Sequence, residues 1–150
     1  METMHLQWSI ALLTNLDEER YSHLYLLVRG GRVIYAGNSF GQNLKSCVLN
    51  TMERLRLDPK SVEIWLGRGR EVGQGIVNRE SVKQARALLV YALKPILHLQ
   101  GKIRYEGSAS LRLENHGCPY LHQFLRAENG IVFRSMKMGI DNGYIRSFAS

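Results

Sequence analysis

Cysteine is scarce in this chain: Cys47 and Cys118 are the only two in 150 residues, and neither a CxxC nor an HxxxH spacing occurs. That argues against a disulfide framework and against a structural zinc site, both of which need a larger or more closely spaced ligand set. Long apolar runs are missing as well. None approaches the roughly 18–20 residues that a membrane-spanning helix requires, so no bilayer span is expected. An export signal is not evident, since Glu2, His5 and Gln7 interrupt the first apolar stretch and no cleavage pattern follows. Reduced thiols in a cytoplasmic or nucleoid-associated setting are the corresponding expectation. Low-complexity segments, internal repeats and Pro/Ser-rich linkers are absent too, which leaves no place to divide residues 1–150 into two domains. Acidic residues are the minority charge: thirteen Asp and Glu against twenty Lys and Arg give a net charge of +7 and a pI near 9.7. An excess of that sign favours a polyanionic partner, nucleic acid first and an acidic membrane surface second, over a merely solvated basic surface; the partner expected is nucleic acid, with no membrane.

What is present centres on residues 23–37, HLYLLVRGGRVIYAG. Two short apolar runs, Leu24–Val28 and Val33–Ala36, flank Gly30-Gly31, and a Gly-Gly pair in that setting predicts a hairpin because glycine accepts positive φ. Before it, Trp8, Ile10 and Leu12 alternate with polar residues as in a strand, and Trp8 reads as a core plug; NLDEER reads as a turn or short helix. After it, Leu44, Val48, Met52 and Leu55 lie on one face of a helix starting at Gln42 or Asn43 and closed by Asp58-Pro59. Residues 62–68 alternate as a half-buried strand, and GRGREVGQG beyond them reads as a mobile basic loop. A second helix is capped by Asn78 or Ser81 and ends at Lys94-Pro95. KIRYEG and SLRLENHG predict a second hairpin about Gly107-Ser108. A short helix is expected from Pro119 to Gly130, followed by a strand-like tail, IVFRSM.

The ordered set LYLLV with Tyr25, VIYAG with Tyr35 and Gly37, the strand VEIWLGR, and the helix QARALLVYALKP resembles the GIY-YIG nuclease superfamily over residues 23–98, about half of the chain. The resemblance implies an α/β fold with a small central, mainly antiparallel sheet flanked by helices, here extended at both ends. It also implies two hairpin tyrosines near a water nucleophile, a helix-borne Arg and His on the phosphate, a Glu holding one divalent metal, and an Asn after the proline. Tyr25 and Tyr35 match the tyrosines. Cys47 and Thr51 stand at the Arg and His positions, Arg86 at the metal-binding Glu, and His98 where Asn is expected. A guanidinium repels the cation that a carboxylate would hold, so the resemblance implies a scaffold without the family's nuclease chemistry.

Three functional expectations follow. The first is a catalytically inactive GIY-YIG-like module that binds nucleic acid, DNA ahead of RNA, with no cofactor. Arg86 would meet a backbone phosphate, and Lys45, Arg54, Arg68, Arg70, Arg79, Lys83 and His98 would extend the surface. The second is an active endonuclease using Mg²⁺ or Mn²⁺ on a relocated acid, Glu63, Glu80 or Glu106, with His98 as base or ligand. The third is a subunit that binds a protein partner or forms a homo-oligomer, presenting LHQFLR and IVFRSM. Cys47, Cys118, His98, His116 and His122 show no arrangement that ties a thiol to a base.

Overall fold

A computed structural model describes residues 2–18, 22–39, 43–72, 77–97, 105, 107, 110–128, 131–135 and 143–146. Its centre is the expected hairpin, β2 (Ser22–Arg29) and β3 (Arg32–Asn38), with strand β1 (Glu2–Ala11) before it. Gly30 and Gly31 both take positive φ, +58° and +76°, the pair of left-handed conformations that a two-residue type I′ turn needs. β4 (Glu63–Val72), β5 (Leu111–His116), β6 (Phe124–Glu128), β7 (Ile131–Ser135) and β8 (Gly143–Arg146) complete one sheet in the order β3-β2-β4-β1-β5-β6-β7-β8. Every neighbouring pair is antiparallel except β1 and β5, which run parallel. That pair is the seam between the N-terminal and C-terminal halves of the sheet.

Two helices, α1 (Leu44–Arg54) and α2 (Arg79–Leu93), cover the sheet. Each begins where the sequence supplies an acceptor for orphan amides: Asn43 Oδ1 accepts from the Ser46 amide at 3.0 Å, and Asn78 Oδ1 from the Ser81 amide at 2.8 Å. Ser81 returns the bond to the Asn78 amide, closing a capping box. The α2 helix stops at Lys94, whose φ of +48° breaks the helical path ahead of Pro95.

The helices create two cores. Val82, Ala85, Leu88 and Leu89 of α2 pack with Met4, Leu6 and Trp8 of β1, Leu24, Leu26 and Val28 of β2, and Leu113 and Leu125 further along the sheet. Leu44, Val48 and Met52 of α1 pack with Tyr25 and Leu27 of β2, Tyr35 of β3 and Ile64 and Leu66 of β4. β2 is therefore buried on both faces, which explains why LYLLV is continuously apolar rather than alternating. Each such fully buried side chain contributes about 1.5–3 kcal/mol of transfer free energy.

The architecture is mixed α/β, as expected, but the sheet is larger than a small central one. Three local expectations are corrected. β4 does not end at Arg68: it continues through Val72, paired with β1 as far as Thr3, because Gly67 lets the Trp8 ring lie against the strand. A Cβ on Gly67 would stand 2.8 Å from Trp8 Cη2, so this glycine serves packing rather than a mobile loop; residues 73–76 lie outside the described set. The segment expected to be helical from Pro119 turns at 119–121 and then forms β6, where Leu125 and Ala127 are buried in strict alternation with Phe124, Arg126 and Glu128. Leu121, Phe124 and Leu125 mimic a helical period, but pairing on both sides, with β5 and β7, decides for the strand. Within 110–117, Leu111–His116 form β5, which pairs with β1 and β6 instead of closing a local hairpin. Most of its supposed partner, residues 102–104 and 106, is outside the described set.

Candidate functional site

The hairpin, α1 and α2 meet in a cleft of about 270 Å³ lined by Tyr25, Tyr35, Asn38, Cys47, Asn50, Thr51 and Arg86. Strand alternation brings the two tyrosines here. Tyr25 on β2 points to the α1 side of the sheet, where its hydroxyl shares a 2.7 Å hydrogen bond with Thr51 Oγ1. Gly37, paired with Tyr25 across the hairpin, leaves room for that ring, since a Cβ there would run into it. Tyr35 lies beside it, with ring centroids 6.1 Å apart and a 30° tilt. Arg54, from the last turn of α1, donates from Nη2 to the Tyr35 hydroxyl at 3.2 Å. Its guanidinium carbon is 5.8 Å from that ring's centroid, within cation–π range.

Arg86 enters from the other helix. Its Nε donates to the Ala36 carbonyl of the edge strand β3 at 3.3 Å, which anchors the side chain through the nitrogen furthest from its tip. No described carboxylate forms an ion pair with it. Among the described residues that line the cleft there is no Asp, Glu or His. Tyr25 and Cys47 are held neutral. Burial pushes the Tyr25 phenol well above its ordinary value of 10, against the smaller opposing effects of the Thr51 hydrogen bond and the Arg86 charge. Burial likewise raises the Cys47 thiol. Neither is a base or a thiolate near neutral pH. Hydroxyls, amides and the Arg86 guanidinium line the cleft, with no carboxylate or imidazole among the described residues.

Of the residues expected to bind nucleic acid, the structure brings Arg86 into the cleft and Arg54 against its Tyr35. Arg79 and Lys83 stand exposed on α2 seven and three residues before Arg86, so the three share one helical face and form a basic stripe leading to the cleft. Lys45 lies half-buried on α1, and Arg68 exposed on β4. Arg70 is on β4 with its backbone described, and His98 lies outside the described residues. Of the acids considered as relocated metal ligands, Glu63 and Glu80 are not among the residues that line the cleft. Glu63 accepts from Trp65 Nε1 at 3.3 Å and from the Tyr120 hydroxyl at 3.2 Å. Glu80 sits in the first turn of α2, where it accepts from Gln84 Nε2 at 2.8 Å. Glu106 is outside the described residues. LHQFLR and IVFRS contribute Leu121, Leu125 and Val132 to the core rather than to an exposed face.

Two groupings are not evident from the sequence. Arg29, Arg32 and Lys94 line a second, open cleft of about 650 Å³ beside the hairpin turn, together with Ile96, Pro119 and Tyr120. The RGGR tetrapeptide is its local signal, because a two-residue turn sets its arginines opposite each other. His5, Glu114 and His116 converge on the other half of the sheet; no local spacing reveals ligands so far apart along the chain. No helix among the described residues is long and apolar enough to cross a membrane. Comparison with protein-family models, with curated proteins and with solved structures finds no match to this chain.

Proposed function

We propose that this protein binds nucleic acid, DNA ahead of RNA, by seating a backbone phosphate in the cleft between the hairpin, α1 and α2, and that it does not cleave it. The observation that carries the reading is the cleft's lining: Arg86, two tyrosines, Thr51, Asn38 and Asn50, with no carboxylate among the described residues. A guanidinium fixed through Nε presents its terminal nitrogens in the planar fork that matches two phosphate oxygens. Arg79 and Lys83 extend the positive charge along α2, and a net charge of +7 supplies the long-range attraction.

The proposal includes a degenerate GIY-YIG-like scaffold. Its support is that Tyr25, Tyr35, Cys47, Thr51 and Arg86, the positions that the resemblance marks as functional, line one cleft although they are spread widely along the chain. In this reading Arg86 replaces the metal-binding acid and supplies its own positive charge to the phosphate, without the metal-bound water that cleavage needs.

The test is a paired assay on labelled single- and double-stranded DNA and RNA, with Mg²⁺, Mn²⁺ or EDTA. Salt-sensitive binding that ignores the metal and yields no product is the expected result. Metal-dependent cleavage lost in Glu63→Ala or Glu80→Ala would place an active site elsewhere. Absence of both binding and cleavage would overturn the proposal in favour of a protein partner.

A further inference from the structure

The parallel pairing of β1 with β5 sets His5 opposite Glu114 and Gln7 opposite His116. In β1 the even-numbered side chains Met4, Leu6 and Trp8 fill the α2 core, so His5 projects from the opposite face. In β5 the buried residues are Leu111, Leu113 and Asn115, which sends Glu114 and His116 to that same face. Three metal-ligating side chains therefore meet at the seam of the sheet, by register rather than by any local motif. His5 Nδ1 is 2.9 Å and His116 Nε2 3.6 Å from the same Glu114 oxygen, Oε2. All three ligand atoms lie within 4.8 Å of one another. The imidazole rings are held parallel, 2° apart in plane with centroids 6.3 Å apart.

The geometry points to a divalent transition-metal site, and we propose that His5, Glu114 and His116 bind Zn²⁺. Zinc takes imidazole nitrogens and carboxylate oxygens at about 2.0–2.2 Å in tetrahedral array, which places neighbouring ligand atoms about 3.3 Å apart. The two nitrogen–oxygen separations, 2.9 and 3.6 Å, bracket that spacing, and the two imidazole nitrogens lie within 4.8 Å of each other, so rotation of the side chains closes the site. Two imidazoles and one carboxylate suit zinc over magnesium or calcium, which prefer oxygen ligands alone. Three protein ligands leave the fourth position to water. The seam sets the role of the metal. Among the described residues, β1–β5 is the one strand pairing that joins β3-β2-β4-β1 to β5-β6-β7-β8, and an ion bridging it clamps the two halves of the sheet together. The site stands apart from the cleft and owes nothing to the nucleic-acid reading.

The experiment uses the full chain, stripped with EDTA and desalted, without nucleic acid. Zn²⁺ is titrated by calorimetry, Co²⁺ by visible absorption, and thermal unfolding is followed with and without Zn²⁺. The expected results are one Zn²⁺ per chain, a tetrahedral Co²⁺ spectrum, and a raised Tm in the presence of Zn²⁺. Glu114→Gln and His116→Ala should weaken Zn²⁺ binding by more than roughly tenfold and abolish the Tm shift. Glu114→Gln keeps a hydrogen-bonding group of the same shape, so it reports on metal ligation even if His116→Ala disturbs the fold. Absence of stoichiometric binding, or binding that both variants leave unchanged, overturns the assignment.

Discussion

Removing the hydroxyl of Tyr25 or of Thr51 should destabilise the protein, and removing both should cost less than the sum of the two. The bond is 2.7 Å long, and its residues are 2% and 7% exposed. Thr51→Val keeps the side-chain shape but leaves the Tyr25 hydroxyl buried without its partner, at about 1–3 kcal/mol. Tyr25→Phe should cost less, about 1 kcal/mol, because a helical threonine can turn its hydroxyl to the carbonyl one turn earlier. In the double variant neither polar group remains to be satisfied, so the total should fall to about 1 kcal/mol and the coupling should be about 1–3 kcal/mol. Urea unfolding followed by far-UV circular dichroism measures all four proteins. Costs that add to within about 0.5 kcal/mol would mean that the pair does not hold α1 to the hairpin.

Two further perturbations test the surroundings. Burial raises the phenols of Tyr25 and Tyr105, the latter to about 12, from an ordinary value of 10. The unfolded chain therefore releases these protons first, and their contribution to stability is complete below pH 10 and lost as pH rises above it. The slope should be about 1.4 kcal/mol per pH unit for each phenol. Tyr25→Phe should remove one such slope; an unchanged alkaline profile would contradict the assignment. At the seam, Asn115 Oδ1 accepts from Trp8 Nε1 at 3.0 Å, and its Nδ2 donates to the His122 carbonyl at 3.0 Å. Asn115→Ala strands the indole N–H in the core and should cost about 2–3 kcal/mol in denaturant unfolding; a cost below about 0.5 kcal/mol would refute that role.

The hairpin, α1 and α2 are legible in the sequence because their signals are local. Gly30-Gly31 demands positive φ, Asn43 and Asn78 cap orphan amides, and Leu44, Val48 and Met52 repeat at the helical period. The second half of the chain is harder to read. Leu121, Phe124 and Leu125 satisfy a helical spacing as well as a strand one, and only the flanking strands β5 and β7 choose between them. Gly67 and Gly69 resemble loop residues because nothing nearby in sequence indicates that Trp8 lies against Gly67. Of the cleft residues, Tyr25, Tyr35, Cys47, Thr51 and Arg86 are named through the resemblance rather than through spacing, and Asn38 and Asn50 are not named at all. Arg86 and Thr51 are brought together by tertiary packing, which neither helix records by itself. The triad His5, Glu114 and His116 depends entirely on the parallel register of β1 and β5, a long-range pairing that the chain does not announce locally.

Binding of a duplex DNA oligonucleotide across a range of salt concentrations, for the native chain and for Arg86→Gln, tests the central claim most directly. Taking the guanidinium away from the phosphate should lower affinity and reduce the slope of log K against log[salt] by about 0.9. Arg86→Glu should weaken binding further, and EDTA should change neither result. Equal affinity and equal slope in the native and Arg86→Gln proteins, or cleavage of the oligonucleotide on adding Mg²⁺, would contradict the account.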